Sequence, residues 1–264
     1  GFTGLGNEAI TLTDTGSIAA STLLTVAQAN SSGTVDASNA GTITGTAEEI
    51  IDAYADSTIT EASDVALTVD TANSGTATLT QARSLDGLTT GVVTATIAAT
   101  DLSDLLDDST PLLDANGNNA FTITIGTGDA TVSAADLNTL NGLTTVDIDA
   151  GNVTTISSST LDAINTLYTS GGFSGLGDQD ITASDSGSIA ASTITTIAAA
   201  NSSGTLDVSD AATITGTAAE IIAAFDDGTV TEADDVALTV TSGTATLAQA
   251  IELNALTTGV VTAT

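Results

Sequence analysis

The chain has 264 residues with 33 acidic side chains, one basic side chain and no histidine, for a formal net charge of -32. Phosphate contacts need Lys and Arg, so direct binding to nucleic acid is excluded for a chain whose only base is Arg83, and an anionic membrane surface would repel it. A disordered chain is not expected either, because high charge here goes with 41% hydrophobic residues.

Cys, Met and Trp are absent, and aromatics make up 2% of the chain. The core must therefore be aliphatic and thin, with no disulfide and no thiolate metal ligand. No apolar run reaches the roughly 18 residues of a membrane-spanning helix. The start, Gly1-Phe2-Thr3-Gly4, carries no basic leader and no initiator Met. It reads as a piece of a longer polypeptide.

Internal repetition dominates the chain. GFTGLGNEAITLTDTGSIAAS at 1–21 returns as GFSGLGDQDITASDSGSIAAS at 172–192. NSSGTVDASNAGTITGTAEEIIDAY at 30–54 returns as NSSGTLDVSDAATITGTAAEIIAAF at 201–225, and SGTATLTQARSLDGLTTGVVTAT at 74–96 as SGTATLAQAIELNALTTGVVTAT at 242–264. Residues 1–171 thus form a first super-repeat and 172–264 a partial second one. A smaller irregular unit lies inside: an apolar start, a small polar stretch, then apolar residues five and eight positions on.

In chain order, that signature starts at Ile18, Ile43, Ala77, Ile97, Val132, Ile156, Ile189, Ile214 and Ala245. Each start predicts a short helix just beyond it, from the three- and four-residue apolar spacing. Thr46, Ser133, Ser157 and Thr217 are the expected N-caps. Between the helices, 65–69, 91–96, 121–125, 145–150 and 236–240 alternate Thr with Val, Ile or Ala, as half-buried strands do. Gly, Asn, Asp and Ser mark turns, as in Asn30-Ser31-Ser32-Gly33. One unit cannot bury its apolar face alone, whereas stacked units can. The predicted fold is an α/β repeat solenoid, with short parallel strands stacked coil on coil and short helices along one side. A conventional α/β sandwich is the alternative.

Enzyme chemistry has little to work with. General base, nucleophile and Schiff-base roles would fall to carboxylates and hydroxyls. The copies also exchange polar residues freely: Arg83 is matched by Ile251, Tyr54 by Phe225, Glu48 by Ala219 and Asp52 by Ala223. The expectation is no enzyme. Calcium is the better chemical hypothesis, since hard cations take oxygens from turns. Asp114, Asn116 and Asn118 have the first three spacings of an EF-hand loop. Asn119 and Ile125 then stand where Gly and Glu are required, so a complete EF-hand is excluded. Acids kept in both copies are Asp14/Asp185, Asp36/Asp207, Glu49/Glu220, Asp56/Asp227, Glu61/Glu232 and Asp64/Asp235. Stacked same-face acids would repel unless a cation lay between them, and Asp36, Asp207, Asp64 and Asp235 are the candidate ligands on that argument. Thr-x-Thr pairs such as Thr42/Thr44, Thr94/Thr96 and Thr213/Thr215 place two hydroxyls on one strand face. They suit an exposed strand or an ice-ordering array.

The NSSGT, ITGTA and LTTGVVTAT blocks, with scarce base and abundant Thr, Asp, Ala and Gly, resemble the acidic tandem-repeat regions of giant bacterial surface proteins and adhesins. Cyanobacterial and marine proteins are the nearest in kind. That resemblance implies export to the cell surface, calcium in the medium, and a role as stalk, coat or filament. Neighbouring repeats of the same polypeptide would be the partners, with self-assembly added. The alternative is an adhesive module for a surface glycan or ice. The glycine-rich calcium nonapeptide of the RTX class is absent, so its calcium sites do not transfer.

Overall fold

A computed structural model describes residues 6–70, 75–98, 100–107, 117–241 and 243–263. It is an α/β fold in which short parallel strands alternate with short helices. Contacts divide it into two compact units: 1–124 with 140–148, and 125–139 with 149–264.

The first unit contains β1 (Ala9–Thr11), β2 (Ser17–Ala19), α1 (Ala20–Ala29), β3 (Thr34–Asp36), β4 (Thr42–Gly45) and α2 (Ala47–Ala55). It continues with β5 (Ile59–Thr60), β6 (Ala66–Val69), β7 (Thr76–Ala77), α3 (Leu79–Asp86), β8 (Val93–Ile97), α4 (Leu102–Leu105) and β9 (Ala120–Thr122). Its strands form two parallel sheets, β1-β3-β5 and β2-β4-β6-β8-β7, with β9 added on β8. The register brings like residues together: Ile10 beside Val35 beside Ile59, and Ile18 beside Ile43 beside Leu67 beside Val93. Each partner lies 24 to 26 residues along the chain, so one helix and two strands make one turn of the pattern.

The second unit carries β10 (Thr131–Val132), and α5 (Ala134–Asn141) and β11 (Ile148–Asp149) run across the division. Then follow β12 (Thr155–Ser159), α6 (Leu161–Ser170), β13 (Phe173–Ser174), β14 (Asp180–Ala183), β15 (Ser188–Ala190), α7 (Ala191–Ala200), β16 (Thr205–Asp207) and β17 (Thr213–Gly216). The last elements are α8 (Ala218–Asp226), β18 (Val230–Thr231), β19 (Ala237–Val240), α9 (Leu247–Leu256) and β20 (Val261–Thr262). The parallel sheets here are β10-β12-β14-β16-β18 and β15-β17-β19-β20. In both of these sheets the strand order rises with the sequence.

The core is the aliphatic layer between sheets and helices. Ile43, Leu67 and Val93 from the strands and Leu23, Ile50 and Leu85 from the helices have no exposure. Alanines such as Ala20, Ala47 and Ala53 fill further buried positions on the helices. Thr46, Thr78, Thr217 and Thr246 close capping boxes with Glu49, Gln81, Glu220 and Gln249, each contributing about 1 kcal/mol. Ser133 accepts the Asp136 N–H, as the sequence predicts. Ser157 does not cap. It sits on β12, and the cap of α6 is Thr160, whose hydroxyl accepts the Ala163 N–H. In a run of three serines and a threonine, the last hydroxyl before Leu161 takes the role.

Candidate functional site

The acids kept in both copies take up distinct local roles. Glu49 and Glu220 complete capping boxes. Asp56 and Asp227 accept from the backbone N–H and hydroxyl of Thr58 and Thr229, closing turns before β5 and β18. These bonds hold the Asp56 carboxyl below the ordinary carboxylate range. Asp185 reaches back to cap α6, accepting the Leu161 N–H at 2.6 Å, whereas Asp14 is exposed.

The candidate metal ligands do not converge. Asp36 and Asp207 each accept the N–H of the serine two residues on, at 3.0 and 2.9 Å, and the Ser38 hydroxyl and N–H hold Asp36 low. In the sheet, Asp36 lies between Thr11 and Thr60, and Asp207 between Thr182 and Thr231. Asp180 likewise lies between Thr155 and Thr205, and its Oδ1 accepts the Thr205 hydroxyl at 2.9 Å. Threonine therefore separates acids on adjacent strands. In each of these ladders the acid has a threonine on both sides, and no second acid stands beside it. The same-face stacking of acids from which a bridging cation was expected is therefore not found at Asp36 or Asp207. Asp64 and Asp235 are exposed. Asn118 turns its amide toward the Thr90 carbonyl, while Asp114 and Asn116 lie outside the described residues. Among the described residues no group of three or more Asp, Glu, His or Cys is arranged to hold a metal ion.

Sequence reasoning missed three duplicated features. The first is a buried asparagine just past a helix. Asn30 accepts the Glu8 N–H through Oδ1 and donates from Nδ2 to the Glu8 and Thr34 carbonyls. Asn201 makes the same three bonds to Gln179 and Thr205. Each ties three strand or turn segments together with one amide. Gly33 and Gly204 follow because a Cβ there would overlap the asparagine Nδ2 and the carbonyl of Glu8 or Gln179. The NSSG block is thus a staple and its clearance, not only a turn.

The second feature is the Leu-Thr-Thr block. Thr89, Thr144 and Thr257 donate to the Val65, Phe121 and Val236 carbonyls at 2.6 to 2.7 Å. The following Thr90, Thr145 and Thr258 bond the carbonyls of Ser63, Asn119 and Asp234 through both N–H and hydroxyl. Every block anchors one turn to the turn about 25 residues before it.

The third is a carboxyl that is not at the surface. Glu61 and Glu232 are half-buried after β5 and β18. One oxygen of each accepts from its own backbone N–H, while Oε1 is buried without a hydrogen-bond partner. Burial, with added repulsion from Asp56 or Asp227, pushes both carboxyls up to about 7. The Tyr54 hydroxyl, also buried and unbonded, is raised by burial and by Glu61. Their duplication was visible in the sequence. Their burial was not, since a Glu after Ile-Thr or Val-Thr reads as a solvated strand end.

Two shallow clefts in the second unit measure about 170 and 160 Å³, and Asp162 and Asp185 are in the wall of the larger. Both fall below the roughly 300 Å³ at which small-molecule pockets begin. No described helix is long and apolar enough to cross a membrane. No protein-family model, no curated protein and no solved structure matches the chain.

Proposed function

We propose that the chain is a structural segment of an α/β repeat solenoid, serving as stalk, coat or filament of a larger extracellular or cell-surface protein rather than as an enzyme. One observation carries the reading. Besides a set of acids, the two copies keep the internal stapling, Asn30/Asn201 and Thr89/Thr257, while polar positions such as Arg83/Ile251 and Glu48/Ala219 change. Selection for a spacer keeps the devices that join one turn of the pattern to the next. The strand order, which rises with the sequence except at β8-β7, and the 24- to 26-residue register of β2, β4, β6 and β8 support the solenoid. The absence of His, Cys and Lys from the sequence supports the non-enzymatic role. Calcium belongs to the proposal on grounds of uncompensated charge, with Asp114 in the favoured loop.

Small-angle scattering tests the reading. A stacked chain gives a radius of gyration well above the roughly 18 Å of a compact globule of this length. A value near 18 Å would contradict it. A second reading, ice or glycan adhesion, is favoured by in-register columns of threonine: Thr44, Thr68 and Thr94 in one sheet, and Thr215, Thr239 and Thr262 in another. Thermal hysteresis in freezing solutions would support ice binding.

A further inference from the structure

We propose that Glu61 and Glu232 form a duplicated proton-operated latch: neutral, each carboxyl seats in the turn after its strand, and ionised, it draws in water and loosens that turn from the Thr-Thr block that grips it. The geometry supports this in four ways. Each carboxyl is half-buried and its Oε1 is shut off from solvent with no donor to satisfy it, an arrangement that suits a neutral acid and penalises a carboxylate. Each stands at the head of a turn closed by a backbone bond, Val65 N–H to Ala62 and Val236 N–H to Ala233. The same turns present the Ser63 and Asp234 carbonyls that Thr90 and Thr258 hold. Finally, both copies keep the glutamate although the neighbouring ring changes from Tyr54 to Phe225, so the tyrosine hydroxyl is not its reason for being there.

The surrounding charges bias the latch toward the neutral form. Asp56 at the end of α2 and Asp227 after α8 act on Glu61 and Glu232, and both repel an ionised partner. The Tyr54 hydroxyl of α2 is uncharged. Asp64 and the pair Asp234 and Asp235 follow on the same turns and are exposed. From the next helix, α3, comes the only base: Arg83 donates from Nη2 to the Asp104 carbonyl at 2.9 Å, and its counterpart on α9 is Ile251. No base in the second copy can compensate Glu232.

The sign of the effect follows from linkage. Each group titrates at about 7 in the folded chain against 4.5 for the unperturbed carboxyl. The folded state therefore binds the proton more tightly, and stability falls as pH rises from 4.5 through 7. Acids held low in the fold, such as Glu8, Asp36 and Glu220, act in the opposite sense and below that window.

The test uses the whole chain at fixed high ionic strength, with its seven glutamates labelled at the carboxyl carbon. Two resonances should titrate between pH 6 and 8, and Glu61→Gln and Glu232→Gln should each remove one. Over the same range the urea midpoint should fall in the wild type and stay level in the double variant. Protection of the Thr90 and Thr258 amides, corrected for intrinsic exchange, should drop at least threefold. Seven glutamates titrating below pH 5.5 would overturn the proposal, even if the Gln variants failed to fold. A double variant that kept the wild-type slope, or amide protection that ignored the titration, would overturn it as well.

Discussion

The turn before β1 and its copy before β14 use the same backbone cradle with different side chains. Glu8 is exposed, and its carboxylate accepts the Gly6 and Asn7 N–H groups. These bonds and that of its own N–H hold it below the ordinary range. Gln179 accepts the equivalent Gly177 and Asp178 N–H groups, but it has no exposure. Its amide also donates to the Val153 and Gly175 carbonyls, and its oxygen lies 3.0 Å from the Tyr168 hydroxyl. A carboxylate could accept from the N–H groups and the Tyr168 hydroxyl but could not donate to the two carbonyls. The amide thus stands in the turn where two carbonyls need a donor, and the acid in the turn where only N–H groups need an acceptor. The copies differ where their surroundings differ, and agree where the internal bonding is the same.

The largest expected effect breaks the shared element of that comparison. Asn201→Ala removes the donor and acceptor that satisfy Gln179's backbone, deep in the second unit. The cost should be about 3–5 kcal/mol by urea unfolding. Asn30→Ala breaks the same bonds beside the exposed Glu8, where water can replace them, and should cost about 1–2 kcal/mol. Equal costs would mean that burial does not distinguish the two cradles.

Exchanging the differing residues sharpens the point. Gln179→Glu sets carboxylate oxygens against the Val153 and Gly175 carbonyls and should cost about 2–3 kcal/mol at neutral pH. Part of that loss should return as the new carboxyl is protonated in acid. Glu8→Gln should change stability by no more than about 0.5 kcal/mol at pH 7. A harmless Gln179→Glu would show that the amide is incidental.

A further expected effect concerns the stretch 97–171, which occurs once in this sequence. A cation that binds only the folded chain stabilises it by mass action. Millimolar calcium should raise the melting temperature by a few degrees beyond sodium chloride at matched ionic strength, and Asp114→Ala should remove part of the excess. No excess over sodium would leave the acids as a solvated coat separated by threonine.

Much of this fold could be read before any coordinates. Periodicity located the helices after Ile18, Ile43, Ile189 and Ile214, and Thr alternation located β6 and β19. Both are local signals. The sorting of strands into two parallel sheets per unit was not legible, because each strand is only two to five residues long and its partner lies about 25 residues away. The roles of Asn30 and Thr89 were hidden for a related reason. A turn residue that bonds its own loop and one that reaches the neighbouring turn look identical in sequence. A signal was present: the NSSG and LTTG blocks survive in both copies while residues around them change. For Glu61 and Glu232, conserved charge hid burial, and Ser157 was indistinguishable from the true cap three residues later.

The central claim is the register that joins each strand to the one about 25 residues on, and the absence of cysteine makes it directly measurable. In-register parallel neighbours lie within the 4.4–6.8 Å Cα range that a disulfide spans. The double substitutions Thr44→Cys with Thr68→Cys, and Thr215→Cys with Thr239→Cys, should therefore cross-link within the monomer under mild oxidation. Thr44→Cys with Ala66→Cys, displaced by one pleat, should cross-link far more slowly. Fast closure of both in-register pairs is the predicted result. Equal rates for the displaced pair, or no intramolecular disulfide in either copy, would contradict the stacked parallel arrangement.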